Sequence, residues 1–343
     1  MSVHLVTGGS GFVGSNIARL LLQRGEAVRV LDLWRDESLS SNIEYVRADI
    51  NDEPAVQSAM QGVDYVHHTV ALVPLAKAGK RFWTVNVEGT RVALRAATRA
   101  KVKMFCHMSS SAVFGSPSVM PITNCTPRVP VERYGRAKLA AEKLVERAGS
   151  EGLNVSMIRP RTIVGPGRLG IFEILFDWIH DHANVVVIGT GNHLFQFVHI
   201  DDLAEVSIQS CLQRRPGTFN AGAEEFGTLR EDLGVLIRHA GSTSRIRSIP
   251  PAVAIAVLTA FDKLRLSPLG PWHYLTYHKP YYFDIEPVKT ELGWQPKYSN
   301  TEILKAAYAW FVAHRASKAA VEGSSFHKAP VKQGVLRLLK RVV

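Results

Sequence analysis

Two hydrophobic periods alternate along the first two thirds of the chain. Val3 to Thr7 is a short continuous apolar run of the kind a strand covered on both faces requires, and Asn16 to Arg24 then sets Ile17, Leu20 and Leu21 at helical spacing. Gly25 ends that helix. Val28 to Leu33 predicts a second strand, Pro54 to Met60 a helical piece, and Tyr65 to Val70 a further strand. Lys103 to Met108 and Val155 to Ile158 predict two more strands, with Val87 to Ala100 and Arg136 to Ala148 as helices. Strand alternating with helix predicts an α/β fold, a doubly wound parallel sheet joined by right-handed crossovers.

Beyond Arg161 the regularity weakens. Gly165-Pro166-Gly167, Gly189-Thr190-Gly191 and Pro216-Gly217 punctuate loops, which predicts a smaller interleaved lobe. Its last helix, Thr301 to His314, spaces Ile303, Leu304, Ala307, Tyr308 and Phe311 for core packing. The apolar run from Pro250 to Phe261 is closed by Asp262 and Lys263, short of the roughly 20 residues a membrane span needs. The N-terminus runs straight into a strand, which argues against a secretory leader.

Composition narrows the class only slightly. With 46% apolar and 21% charged residues the chain is too apolar for disorder and too mixed for a coiled coil. Cys106, Cys125 and Cys211 give neither a fully paired disulfide framework nor zinc-knuckle spacing, so a reducing, cytoplasmic setting and no metal are expected. The net charge of +11 favours anionic partners without identifying one. Part of it sits on a basic tail, residues 316–343, where Lys328, Lys332, Arg337, Lys340 and Arg341 face one acid, Glu322. From Val335 onward Leu and Val alternate with Arg and Lys, a pattern suited to a helix on an anionic membrane surface or to a solvated tail.

Candidate chemistry lies at two places. Thr7-Gly8-Gly9-Ser10-Gly11-Phe12-Val13-Gly14 follows the first strand and opens the first helix, where glycine lets backbone N–H groups approach a pyrophosphate. Asp32 closes the second strand, 18 residues after Gly14, where a carboxylate accepts both ribose hydroxyls of an adenosine and repels a 2′-phosphate. NAD is therefore expected over NADP, with Arg35 as a cation that would neutralise such a phosphate. Asp49-Ile50 closes the third predicted strand, and its carboxylate either meets an adenine amino group or caps the next helix. The second place is Tyr134-Gly135-Arg136-Ala137-Lys138. Positions i and i+4 share a helix face, and a cation there favours the phenolate of a group whose ordinary pKa is about 10. Upstream, Met108-Ser109-Ser110-Ser111 sets hydroxyls just after a strand, on the sheet edge where ligands of such folds bind.

These residues resemble the extended short-chain dehydrogenase/reductases of the NAD-dependent epimerase/dehydratase type, from about Val3 to Arg315. Gly8-x-x-Gly11-x-x-Gly14, Asp49-Ile50, Val66-His67, Asn86-Val87-Glu88-Gly89-Thr90, the serine run, the Tyr/Lys pair, Ile158-Arg159-Pro160, Phe197-Val198-His199-Ile200-Asp201-Asp202, Asn220-Ala221-Gly222 and Glu291-Leu292-Gly293-Trp294 carry it. The resemblance implies a Rossmann-type NAD-binding domain over 1–161 and a mainly substrate-binding lobe over 162–315, with segments near 195–222 returning to the first. It implies a homodimer and a small-molecule substrate rather than nucleic acid. Gly8, Gly11, Phe12, Val13, Gly14, Asp32, Asp49 and Ile50, with Tyr134 and Lys138, would hold the cofactor. Tyr134 would be the general acid/base, Lys138 its activator, and Ser110 the hydroxyl that stabilises developing charge on the substrate oxygen, with Ser111 as its understudy. His67, His68 and His199 are expected to be structural, and Asn86 a helix-start residue beside the site.

Three departures bear on the substrate. Ser111-Ala112 replaces the acid pair of the dehydratase branch. Phe195 stands four residues before His199, and Tyr274 ten before Asp284, where nucleotide-sugar enzymes of the family commonly carry arginines that clamp a diphosphate. Arg161, Arg168, Lys279 or His278 could stand in for them. The apolar segment Ser248 to Trp272 resembles the 3β-hydroxysteroid and sterol-carboxylate dehydrogenase branch, where such a helix lies near a greasy substrate and often a membrane; a core helix is the alternative. The expected activity is hydride transfer between NAD and a secondary alcohol or ketone of a lipophilic molecule, in the cytoplasm or peripherally at its membrane face. A nucleotide-sugar epimerase is the alternative, and a non-catalytic dinucleotide sensor a third reading.

Overall fold

The computed structural model describes residues 1–167, 169–264, 266–267, 269–315 and 340. Its central sheet has seven strands, β1 (Val3–Thr7), β2 (Ala27–Asp32), β3 (Glu44–Arg47), β4 (Tyr65–His68), β5 (Met104–Met108), β6 (Val155–Pro160) and β7 (Gly217–Ala221). They lie in the order β7-β6-β5-β4-β1-β2-β3, every pair parallel. The order reverses at β1, where Thr7 has Leu31 on one side and His68 on the other. Crossovers leave such a point toward opposite faces and open a crevice beyond the carboxyl ends of the strands.

Both faces of the sheet are covered, which is why β1, β4 and β5 read as continuous rather than alternating runs. On one side Leu5, Val66 and Phe105 pack with Val56 of α2 (Glu53–Ala59) and with Ala93 and Ala97 of α3 (Gly89–Ala100). On the other, Val6, Val28 and Val30 meet Ile17 and Leu21 of α1 (Phe12–Gln23). A long helix, α4 (Arg133–Ser150), carries the Tyr/Lys pair, and α5 (Ile200–Leu212) completes the second layer through Ala204 and Ile208.

Several boundaries differ from the sequence reading for identifiable reasons. β4 stops at His68, although Thr69 N–H still donates to the Thr7 carbonyl at 3.0 Å before Val70 passes close over Gly8, and β3 stops at Arg47, so Asp49 and Ile50 follow the strand rather than close it. The helix expected from Val87 begins at Arg81 and passes through a π-helical segment, Thr84–Glu88, whose wider turn breaks the 3.6-residue template. Asn86 lies inside that segment and starts no helix. α4 begins at Arg133, not Arg136, since the Glu132 carboxylate accepts from the backbone N–H groups of Tyr134 and Gly135, both at 2.6 Å. Glutamate is an uncommon N-cap.

Past β6, two short parallel pairs form outside the main sheet, Thr162–Val164 with Phe197–His199 and Val185–Ile188 with Ile246–Ile249. The chain then returns through α5 to β7, where Gly217 sits opposite Ser156 of β6. The helix Asn300–His314 buries Ile303, Leu304, Ala307, Tyr308 and Phe311, as its spacing predicts. The helix Pro251–Lys263 is not the core helix offered as one reading of it. It buries only Ala254 and Leu258, leaving Val253 53% and Val257 44% exposed. Apolar residues surround it on all sides, so no stripe marked an inner face. The basic tail lies outside the described residues apart from Lys340, whose ammonium bridges Asp177 and Asp181. Among the described residues no helix is long and apolar enough to cross a membrane.

Candidate active site

A cavity of about 480 Å³ occupies the crevice. Gly8, Gly11, Phe12, Val13, Gly14, Asp32, Asp49, Ile50, Ser110, Tyr134 and Lys138 all line it, so the fold brings together residues that span 131 positions of sequence.

At one end are the glycine turn and Asp32. Gly8 has φ +72°, and a Cβ there would lie 2.8 Å from the Val70 backbone nitrogen; one on Gly14 would lie 2.3 Å from the Gly8 carbonyl oxygen. The turn therefore packs β1 against α1 and the post-β4 segment without side chains in between. α1 has no capping side chain and no acid in its first turn, which leaves its positive end open toward the cavity. The Asp32 carboxylate is set by backbone donors, Ser10 N–H at 3.1 Å on one oxygen and Leu33 N–H at 2.7 Å on the other. Burial pushes its pKa up, and those amides partly oppose the shift. This arrangement fits a dinucleotide, with open N–H groups for its phosphates and a fixed acceptor for a ribose. Arg35 lies over the Tyr45 ring, 5.9 Å from its centroid. Asp49 does not cap the following helix. Its carboxylate accepts from the Asn51 backbone and side chain, both at 2.9 Å, and Asp52 caps α2 by accepting from Ala55 N–H at 3.2 Å.

At the other end α4 presents Tyr134 and, one turn on, Lys138. The Tyr134 ring packs edge-on against Phe82 at 6.0 Å. The Lys138 ammonium donates to the Met108 carbonyl at 2.7 Å, and burial lowers its pKa to about 8, opposed by the nearby Glu142 carboxylate. Beneath it, burial and then the Lys138 charge keep His68 neutral, with a pKa of about 3, and hold His107 well below its ordinary value. The three serines do different work. Ser109 donates to Glu142 at 2.6 Å. Ser110 is half-buried at the cavity wall and accepts from Ala112 N–H at 3.2 Å, capping a short 3-10 turn. Ser111 also lines the cavity; its hydroxyl accepts from Arg161 at 3.3 Å and its carbonyl from the Tyr281 hydroxyl at 2.8 Å. Behind them Glu142, fully buried, accepts from Arg159 at 2.8 and 2.9 Å and from Arg128 at 2.8 Å. Burial would raise its pKa, but Arg159, Ser109 and Arg128 together hold it below the ordinary glutamate value.

The sequence reading missed the wall between these ends. Leu72, Val73, Pro74 and Leu75 from the loop after β4, Leu169 and Phe172 from the second lobe, and Trp272 and Tyr277 close it. Asn86 holds that loop in place, its side chain accepting from Leu72 N–H at 2.8 Å and donating to the Leu72 carbonyl at 3.0 Å. A buried amide inside an apolar helical run was the available signal. His199 caps α5 and stacks on Tyr298 at 3.8 Å, while Asp202 accepts from Lys297 and Tyr298 N–H, so these motif residues join the lobes. The fold also gathers His67, Cys106 and Cys211, with ligating atoms within 4.8 Å of one another, a grouping that sequence spacing concealed. Both His67 nitrogens are already engaged, with His4 at 3.0 Å and Ser207 at 2.8 Å.

Comparison with known proteins agrees with this geometry. The model of the NAD dependent epimerase/dehydratase family matches residues 4–222. An uncharacterized protein of Sinorhizobium fredii, y4nG, is 45% identical over 98% of this chain and 85% of its own length. A 3 beta-hydroxysteroid dehydrogenase/Delta 5-->4-isomerase of Mycobacterium tuberculosis is 28% identical over 90% of each chain. Among solved structures, a UDP-glucose 4-epimerase from Thermotoga maritima with UDP-glucose superposes with a TM-score of 0.76 at 23% identity, covering 91% of this chain and 99% of that one, a likeness of fold. The chain therefore belongs to the NAD dependent epimerase/dehydratase family of extended short-chain dehydrogenase/reductases, as an NAD-dependent oxidoreductase.

Proposed function

We propose that the protein oxidises a secondary alcohol, or reduces the corresponding ketone, on a lipophilic small molecule. NAD, when bound, supplies the nicotinamide carbon that accepts or returns a hydride. In the oxidising direction the Tyr134 phenolate takes the hydroxyl proton as the carbinol hydride leaves. The products are a ketone, NADH and a neutral tyrosine, which releases its proton to solvent. Lys138 favours the phenolate by its charge and would hold the nicotinamide ribose. Ser110 turns its hydroxyl from the Ala112 amide to the substrate oxygen as charge develops there. Gly8 to Gly14, Asp32, Asp49 and Ile50 would hold the other half of the dinucleotide. In this reading 1–161 hold the cofactor and most of 162–315 the substrate.

The observation that carries the substrate class is the cavity wall facing Ser110 and Tyr134. Leu72, Pro74, Leu75, Leu169, Phe172 and Trp272 offer an apolar surface. Phe195 and Tyr274, in place of the family's diphosphate-clamping arginines, are buried. The test is incubation with NAD and ring-bearing hydrophobic secondary alcohols, read as net NADH, with Tyr134→Phe as control. Net NADH that vanishes in Tyr134→Phe supports the proposal. Retained NAD, no net NADH and interconversion of a UDP-sugar would replace it with the epimerase reading.

A further inference from the structure

The helix Phe172–His180 is apolar on two sides. Phe172, Phe176 and Ile179 pack into the main core, where Phe172 meets Phe197 and Phe176 meets Tyr308 and Phe311. On the opposite side helical spacing sets Ile174, Asp177, Trp178 and, at the C-cap, Asp181. Ile174 and Trp178 are buried to 6% and 5%, yet neither belongs to a hydrophobic cluster formed by the described residues. Beyond Arg315 one residue is described, Lys340, and it reaches this side of the helix. Lys340 is helical and its side chain is 16% exposed. Its ammonium lies 2.5 Å from Asp177 Oδ2 and 2.7 Å from Asp181 Oδ2, while Arg315 donates to the other oxygen of each, at 3.0 and 2.9 Å. Two acids at the negative end of a helix are unfavourable unless cations meet them, and this ring of alternating charge does so.

We propose that this side of the helix is the docking surface for the chain's own C-terminal segment, Val335–Val343, seated as a short amphipathic helix over Ile174 and Trp178. The spacing agrees with the contact observed. In a helix Leu336, Leu339, Lys340 and Val343 fall on one side, at i, i+3, i+4 and i+7, and Arg337 and Arg341 on the other. The cation found in the acid pair is thus the one that shares a side with the leucines. An ion pair partly in water does not by itself repay the entropy of closing residues 316–339 into a loop, so apolar contact must supply the rest. Leu336, Leu339 and Val343 provide it, opposite a buried isoleucine and tryptophan. The inference gives to the molecule itself a segment whose pattern alone suits an anionic lipid surface equally well. It is independent of the reaction proposed above, although Phe172, on the front of the same helix, lines the cavity.

The test uses the full chain. Isotope-labelled and unlabelled copies are mixed and treated with a carbodiimide, which joins only a lysine and a carboxylate already in contact. Hydrogen exchange over residues 174–181 is then followed in the parent chain, Lys340→Glu, Leu339→Asp and Arg337→Glu. The expected results are cross-links from Lys340 to Asp177 or Asp181 within one copy, and exchange at least about ten-fold faster in Lys340→Glu and Leu339→Asp but unchanged in Arg337→Glu. Absence of a Lys340 cross-link to either acid overturns the inference, as does exchange unchanged in Lys340→Glu and Leu339→Asp or equally fast in Arg337→Glu. Cross-links that join labelled to unlabelled copies overturn it too, and give the surface to a second copy. A last arm adds vesicles of phosphatidylcholine and phosphatidylserine to the parent chain. Exchange that stays slow supports intramolecular docking; exchange that becomes fast moves the segment to lipid and overturns it.

Discussion

Lys138 shows most directly how position sets chemistry. Its ammonium is buried between Met108 and the helix that carries Tyr134, and burial brings its pKa to about 8. Below that value it is charged and, in the proposed mechanism, would favour the tyrosinate; above it the cation is lost. The alkaline limb of kcat/KM is therefore expected near pH 8. Lys138→Met should remove that limb and cost about 10²-fold in rate, checked by a pH profile of NADH formation. Asp32 acts at the opposite end. Its carboxylate is pre-set by backbone donors, so Asp32→Ala should weaken NAD much more than NADP in a titration of both; equal losses would count against a ribose contact. Both residues were legible in the sequence because each stands at a fixed distance from a glycine or tyrosine marker. The work of Ser111 was not. Its partners Arg161 and Tyr281 come from 50 and 170 residues away, and no local spacing encodes such contacts.

At the scale of elements, strands and helices were readable wherever one period ran unbroken, as in β1, β5 and the helix Asn300–His314. The failures lie where a helix does something irregular. The π-helical turn around Asn86 erased the helical period upstream of Val87, and the same turn lets Asn86 reach the Leu72 backbone and shape the substrate wall. The start of α4 was missed because its cap is a glutamate. That helix is tied to β6 and to the Arg128 segment through Glu142, whose carboxylate is held below its usual pKa of 4.5. The stability that Glu142 contributes is present above that value and lost as the pH falls through its lower folded value. Glu142→Gln leaves the buried Arg159 guanidinium without its countercharge, while Arg128 keeps Glu146, and should cost about 3–5 kcal/mol in denaturant unfolding at neutral pH. It should also flatten the acid limb of stability.

For the whole molecule, the doubly wound architecture follows from the alternation of periods, whereas the position of the second lobe does not. The helix Pro251–Lys263 illustrates the limit. Uniformly apolar sequence cannot distinguish a buried helix from one lying on the surface, and the fold leaves Val253 and Val257 largely in solvent. Val253→Ser with Val257→Ser should therefore change the unfolding free energy by less than about 0.5 kcal/mol, measured by denaturant titration, where two core valines would cost several times more. The helix is held to the loop that walls the cavity by the Lys77–Asp262 ion pair, 2.6 Å long.

The return of the chain to β7 has a consequence for how this protein can be divided. The sheet is complete only at residue 221, when β7 takes its place beside β6, although Gly8 to Gly14, Asp32, Asp49 and Ile50, which line one end of the cavity, all come long before it. A fragment that stopped at Arg161 would carry every glycine of the turn after β1 and the whole Tyr/Lys pair, yet its outermost strand would show an open row of peptide N–H and C=O groups. If, as proposed, 1–161 hold the cofactor and most of 162–315 the substrate, no single scission of the backbone would separate the two. A truncation after β6 would take away the strand that covers its free edge.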